Sequence, residues 1–192
     1  METNTILLIA LVGCLVLNNY VGLYISRRYG TKIPGWSSII KGRDYTFYLI
    51  YASYLLLLVS AIISILKDRY RFPLALAGFF LILLSMYINF IARRDLAKYW
   101  TPLADTEKEQ VLIKSGIYGR VRHPIYLSIL IQLIGLALVG GNFYGFLFFI
   151  LSVVALALRI KKEEQKLVIK FGEDYKEYAA RTPALLPGLR KK

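Results

Sequence analysis

Two residue types that build many catalytic and metal sites are nearly missing from this 192-residue chain, which has one cysteine, Cys14, and one histidine, His123. A single cysteine excludes an intramolecular disulfide and a CxxC zinc site, and a single histidine excludes a multi-histidine metal centre. Acids are scarce as well: 12 Asp plus Glu stand against 25 Lys plus Arg, for a formal net charge of +13. Charge of either sign is absent from four long stretches, Thr5–Ile25, Tyr45–Leu66, Phe72–Ala92 and Pro124–Leu158. Ionisable groups inside membrane spans mark ion paths, proton relays and intramembrane proteases. Their absence argues against a proton-coupled transporter and an aspartyl intramembrane protease. There is no Walker A sequence, no GxGxxG and no GxSxG elbow, which removes the common nucleotide-binding and serine-hydrolase signatures.

Apolar sequence is abundant. Hydrophobic residues make up 57% of the chain and the mean hydropathy is +0.51. They lie in blocks with the charges between them, which excludes a disordered basic tail and argues against a nucleic-acid partner. The first three uncharged stretches hold 21, 22 and 21 residues, and about 20 apolar residues carry a helix across a bilayer core. The fourth holds 35 residues and is interrupted by Gly140-Gly141-Asn142, which is turn chemistry. It predicts a hairpin of two helices of about 17 residues each, near the lower limit for a span. The expected fold is therefore an all-α integral membrane protein with five transmembrane helices.

The first stretch reads as a permanent anchor rather than a cleaved signal, because Glu2 precedes it, no basic residue does, and its apolar run is long. Asn18 and Asn19 within it are expected to face another helix. With the N-terminus outside, 22 basic residues fall in the cytoplasm and 3 outside. The positive-inside rule favours that arrangement, and it accounts for the basic composition without nucleic acid. Tyr20, Tyr24, Tyr29, Trp36, Tyr45, Tyr70, Tyr99 and Trp100 lie near span ends, where interfacial anchoring accounts for aromatics.

Chemistry is left to the two most polar segments, Arg93–His123 and Arg159–Lys192. The first leads into Ser115-Gly116-Ile117-Tyr118-Gly119-Arg120-Val121-Arg122-His123-Pro124. Pro124 suits the first turn of a helix, where its missing N–H costs nothing. Arg122 and His123 then stand at a helix mouth. That place either favours an anion such as a carboxylate or phosphate, or holds a positive-inside stop beside an interfacial histidine. In the second segment Arg159, Glu163, Leu167, Phe171 and Tyr175 recur every four residues. They share one helix face, read either as part of a site or as an amphipathic interfacial helix.

These residues resemble the isoprenylcysteine carboxyl methyltransferase family, within a wider set of membrane methyltransferases that includes phospholipid N-methylating enzymes. The likeness is carried by Arg122-His123-Pro124-Ile125-Tyr126 after Leu112-Ile113-Lys114-Ser115-Gly116-Ile117-Tyr118. It continues with Arg159, Glu163-Glu164, Phe171-Gly172-Glu173-Asp174-Tyr175, Tyr178 and Arg181-Thr182-Pro183. It runs from about Gln110 to Pro187. Sterol reductases carry a similar Arg-His-Pro-x-Tyr string, and the conjunction with Glu-Glu and Phe-Gly-x-x-Tyr is what sets this chain apart. One departure is the absence of a glycine directly after Tyr126; Leu127 and Ser128 follow it.

The resemblance implies S-adenosyl-L-methionine as methyl donor, bound at the cytoplasmic face without a Rossmann domain. It implies cofactor contacts from Gln110, Val111, Leu112, Ile113, Tyr118, His123, Pro124, Ile125, Tyr126 and Glu163. Arg159 is the implied catalytic, substrate-holding residue, with Glu164 in support or near the substrate. Residues 1–98 would form a three-span membrane region. Residues 99–192 would form the catalytic region, with the helical hairpin and a C-terminal amphipathic cytoplasmic helix. The implied acceptor is a prenylated cysteine carboxylate or a similar lipophilic carboxylate, on a small molecule or a peptide, met in membrane lipid. Neither metal nor nucleic acid is expected. The alternatives are methylation of a phospholipid or other lipid amine, an NADPH-dependent sterol reductase, and a membrane scaffold without catalysis.

Overall fold

The computed structural model describes residues 2–29, 45–96 and 111–186. Gln110, Trp36, Tyr99 and Trp100 lie outside the described residues. The regular elements among the described residues are all helical. They are α1 (Glu2–Tyr29), α2 (Tyr45–Leu66), α3 (Phe72–Leu96), a 3-10 turn (Gly116–Gly119), α4 (Pro124–Gly140), α5 (Phe143–Phe171) and α6 (Glu173–Arg181). Of these, α1, α2, α3 and α5 are long and apolar enough to cross a membrane. The chain is thus an all-α, multi-pass membrane protein. At 17 residues, α4 is about 25 Å long against a core of about 30 Å.

The bundle core is formed where α2, α3 and α4 meet, from Leu57, Ala61, Ile65, Ile82, Leu133, Leu136 and Val139, with Leu7 and Leu11 of α1 against it. Large apolar side chains such as Leu76, Phe80, Leu83 and Val154 point outward, as expected of helices solvated by lipid. Between helices in lipid, close packing and hydrogen bonds replace hydrophobic burial as the adhesive. The serines and amides inside the spans serve that purpose. Asn89 Nδ2 donates to Ser128 Oγ at 3.1 Å, and Gln132 Nε2 to the Tyr54 hydroxyl at 3.3 Å. At the opposite end of the bundle Ser60 Oγ donates to Asn142 Oδ1 at 3.0 Å, and Asn142 Nδ2 donates to Ser64 Oγ at 2.6 Å. The Asn142 oxygen also accepts from Gly145 N at 2.8 Å and so caps α5. Tyr70 donates to Asn4 at 2.9 Å, tying the α2–α3 connection to α1.

Three expectations are corrected. The second arm of the helical pair is not a helix of about 17 residues: α5 runs 29 residues, through Arg159 and on to Phe171. Its charged half is good helix sequence, with no glycine or proline before Gly172, so the helix continues past the apolar part. The four-residue stripe does not reach Tyr175 on one helix. Gly172 adopts φ 55°, ψ −128°, a left-handed conformation that other residues avoid, and the chain turns there into the separate helix α6. Asn19 does not seek a neighbouring helix; it is exposed and donates to Leu15 O of its own helix at 2.8 Å. That back-bond satisfies the amide locally.

Helices α3 and α4 cross closely at Gly78 and Gly135. A Cβ on Gly78 would stand 2.5 Å from the Gly135 carbonyl oxygen, and a Cβ on Gly135 would stand 2.7 Å from the Gly78 carbonyl oxygen. Both obstacles are backbone, so a side chain fits only if the helices separate. Gly78→Ala is expected to cost about 1–3 kcal/mol and lower the thermal midpoint in detergent, whereas Gly13→Ala, where a Cβ meets nothing within 4 Å, should leave it in place. An unchanged midpoint for Gly78→Ala would show that the crossing has slack.

Candidate active site

Two carboxylates on consecutive residues of α5 organise the charged end of the bundle. Successive helical residues point about 100° apart, so Glu163 and Glu164 face different neighbours. Glu164 faces the segment that leads into α4. Its Oε1 accepts from Arg122 Nε at 3.0 Å and Arg122 Nη2 at 2.6 Å, from His123 Nε2 at 3.0 Å and from the Tyr175 hydroxyl at 3.3 Å. A carboxylate only accepts, so the His123 proton sits on Nε2. The third nitrogen of Arg122, Nη1, donates to Ala179 O at 2.8 Å and to Thr182 O. These carbonyls close the C-terminal end of α6, where a cation is electrostatically favoured.

The backbone completes this clamp. Arg122 N donates to Pro183 O at 2.9 Å and His123 N to Ala184 O at 3.0 Å. The Tyr178 hydroxyl donates to Tyr118 O at 2.6 Å. Tyr175 and Tyr178 are buried. Burial pushes the Tyr178 hydroxyl up to about 12. Burial, then the charge of Glu164, pushes Tyr175 upward, and burial, then the charge of Glu163, does the same to Tyr118. These phenols stay protonated. Asp95 at the end of α3 anchors the entry to the 3-10 turn by accepting from Ile117 N at 3.0 Å.

Glu163 faces inward. Its Oε2 accepts from the Tyr126 hydroxyl at 2.6 Å, and the Tyr126 oxygen accepts from Arg159 Nε at 3.2 Å. Arg159, Tyr126 and Glu163 therefore form one hydrogen-bonded chain, with α4 supplying the middle member and α5 both ends. Arg159 is 3% exposed, and its guanidinium carbon stands 6.0 Å from the centre of the Phe47 ring on α2. His123 and Tyr126 place their rings 5.7 Å apart. His123 is the N-cap of α4 and Pro124 its first residue. Leu127 N donates to His123 O, and the N–H groups of Ile125 and Tyr126, within the first turn, have no partner within the helix.

Of the site residues expected from sequence, His123, Pro124, Ile125, Tyr126, Arg159, Glu163 and Glu164 are brought together here. Tyr118 is buried one turn of chain away and tied to α6. Val111, Leu112 and Ile113 lie in the irregular segment that approaches the 3-10 turn, with Val111 exposed; Gln110 lies outside the described residues. The anion expected beside Arg122 and His123 is present, and it belongs to the chain itself: Glu164 takes the charge, and the backbone N–H groups of both residues are already used. Arg122 is thus a structural clamp. Sequence reasoning missed Ala179 and Thr182 as its partners, Tyr175 as a partner of Glu164 and Phe47 as a neighbour of Arg159. Phe47 carried no signal beyond its place in an aromatic cluster that opens a span.

The model of the family described as phospholipid methyltransferase matches residues 74–174. That stretch begins inside α3, upstream of the motifs. Among curated proteins, the chain is 28% identical to a protein-S-isoprenylcysteine O-methyltransferase of Schizosaccharomyces pombe, over 90% of the chain and 80% of that protein. It is 31% identical to the protein-S-isoprenylcysteine O-methyltransferase of Saccharomyces cerevisiae, over 57% of the chain and 47% of that protein. It is also 30% identical to the cobalt-zinc-cadmium resistance protein CzcN of Cupriavidus metallidurans, over 56% of the chain and 50% of that protein.

Proposed function

The chain belongs to the phospholipid methyltransferase family, as a relative of the isoprenylcysteine O-methyltransferases, and from that premise we propose that it methylates a lipophilic carboxylate with S-adenosyl-L-methionine. The acceptor would be a prenylated cysteine or a molecule like it. The observation that carries this reading is Arg159, a buried guanidinium at the first charged position after the apolar half of α5, hydrogen-bonded through Tyr126 to Glu163. A buried cation at that boundary suits an acceptor that is anionic at one end and apolar at the other.

The residues present fit S-adenosylmethionine. Its α-ammonium and ribose hydroxyls need acceptors, and Glu163 offers a carboxylate. Its carboxylate needs donors, and the N–H groups of Ile125 and Tyr126, left without a partner inside the helix at the start of α4, offer them with the helix dipole behind. Tyr118 and the Val111–Ile113 segment would border the adenosine. When bound, the cofactor supplies an electrophilic sulfonium methyl group. Arg159 does the rest of the positioning, because a guanidinium fork holds both oxygens of a carboxylate in one plane. A carboxylate is ionised at neutral pH, so no general base is required, and the lone histidine is free to serve the clamp. What the protein must supply is orientation and exclusion of water.

We read α4 as a fifth, short span, with the N-terminus outside and the site on the cytoplasmic face, as the 22 basic residues against 3 favour. The division into a three-span region, 1–98, and a catalytic region, 99–192, belongs to the same reading. A short α4 beside the site would thin the barrier between site and bilayer and let an apolar chain enter sideways. A lipid-amine acceptor is the second reading, which the family description favours; Arg159 would meet its phosphate but repel its cationic amine. Titration calorimetry of the detergent-purified protein is the test. Binding of S-adenosylhomocysteine without binding of NADPH is expected, followed by methyl transfer to a prenylcysteine acid in preference to phosphatidylethanolamine. Binding of NADPH alone would replace the reading with a reductase, and preference for phosphatidylethanolamine would replace the acceptor.

A further inference from the structure

Tyr126 lies on α4 and Arg159 and Glu163 on α5, and α2 packs against both helices. The first two turns of α2 are rich in aromatics: Tyr45, Phe47, Tyr48 and Tyr51. Interfacial anchoring would have these rings point away from the protein toward the headgroups. Phe47 does not; it lies 6.0 Å beneath the Arg159 guanidinium. The Tyr51 ring packs on it with centroids 4.4 Å apart and an interplanar angle of 39°. One turn nearer the charged end, Lys162 stands 5.5 Å from the centre of the Tyr45 ring. Thus α2 presents a run of rings to the same face of α5 that carries Arg159. Phe47 is only partly buried and Tyr51 is 60% exposed. The run therefore starts under the guanidinium and opens toward lipid.

We propose that Phe47 and Tyr51 form the wall that selects the acceptor by its apolar chain. The proposal rests on the carboxylate reading above and adds to it where the rest of the acceptor goes. A carboxylate held at Arg159 has its attached chain leave on the membrane side of the guanidinium, because the other side is occupied by Tyr126 and Glu163. The membrane side is where Phe47 and Tyr51 lie. Flat rings with a partly exposed outer member suit an unsaturated, methyl-branched chain, which contacts π faces along its length. The aromatic face also holds the guanidinium through a cation–π contact, so Phe47 touches both the cation and the chain. Neither residue touches a reacting atom; they are specificity residues.

The test uses the full-length protein in nanodiscs and prenylcysteine acids of one to four isoprene units. Direct equilibrium binding and turnover are both measured, with S-adenosylhomocysteine affinity as the check on folding. For the wild type, affinity should rise with each added unit. Phe47→Ala should flatten that rise, weakening the longest acceptor about tenfold while changing the shortest less than about twofold, which is the scale of losing one buried apolar contact. Phe47→Leu, which keeps the volume and loses the ring, should fall between. S-adenosylhomocysteine affinity should not move. An unchanged chain-length slope in Phe47→Ala and Tyr51→Ala, with wild-type turnover of the acids intact, overturns the aromatic wall alone. Equal weakening of short and long acceptors overturns it too, and assigns Phe47 to holding Arg159. If the wild type neither binds nor methylates any of the acids, the carboxylate reading falls and the wall with it.

Discussion

Replacing Arg122 with alanine is expected to release α6 from the bundle and abolish activity without touching substrate. Its guanidinium makes two bonds to Glu164 and two to the carbonyls of Ala179 and Thr182. Its removal would leave Glu164 holding His123 and Tyr175 alone, and two carbonyls at the end of α6 without their donor. Breaking a buried ion pair from one side costs about 3–5 kcal/mol. Glu164 is 30% exposed, and water can partly replace the lost donors, so the lower end of that range applies. Arg122→Lys should rescue little, because one ammonium cannot reach a carboxylate and two carbonyls in the plane of a fork. The readouts are the thermal midpoint in detergent and the rate of proteolysis after Gly172. A falling midpoint with rapid cleavage in that region is expected. Unchanged resistance to protease would mean that burial of Tyr175 and Tyr178 holds α6 without the clamp.

The outcome at Arg122 also marks where sequence reasoning stops. The spans were legible because bilayer thickness fixes a length and charge marks its ends: the uncharged stretches Tyr45–Leu66 and Phe72–Ala92 lie within α2 and α3 with their starts in place. The turn at Gly141-Asn142 and the entry to α4 at Pro124 were legible because each has a local backbone reason. Arg159, Tyr126 and Glu163 could be chosen by resemblance, and the structure brings them into one hydrogen-bonded chain. Pairing was not legible. Helical spacing places Arg122 near a helix mouth in need of an anion, yet nothing local says that the anion is Glu164, 42 residues away. The turn at Gly172 was hidden for a related reason. A four-residue repeat continues through it in sequence, and only the positive φ shows that Tyr175 returns to Glu164 on a different helix. Phe47 was obscured because an aromatic at a span end has a sufficient explanation in the bilayer interface.

Arg159→Ala is expected to lower methyl transfer by about 10²–10³-fold while S-adenosylhomocysteine still binds. Three physical features separate these effects. The guanidinium is the only part of the Arg159–Tyr126–Glu163 chain that would meet the acceptor, whereas Glu163 at the far end would meet the cofactor. The acceptor carboxylate carries a charge that must leave water to enter the site, and without a cation that step is disfavoured. Finally, in-line transfer depends on orientation, which a single point charge does not fix, so Arg159→Lys should recover only a small part of the rate. Glu163→Gln should show the opposite pattern, with weaker cofactor binding first and turnover at saturating cofactor less affected. Tyr126→Phe tests the link. Its hydroxyl accepts from Arg159 and donates to Glu163, so its loss should weaken both functions modestly, and the double variant Tyr126→Phe/Arg159→Ala should be less than additive. The decisive comparison is Arg159→Ala measured by calorimetry and by turnover on one preparation. Loss of turnover with cofactor affinity retained places the acceptor at the guanidinium; loss of both in equal measure would make Arg159 a support for the cofactor and leave the acceptor carboxylate without a partner.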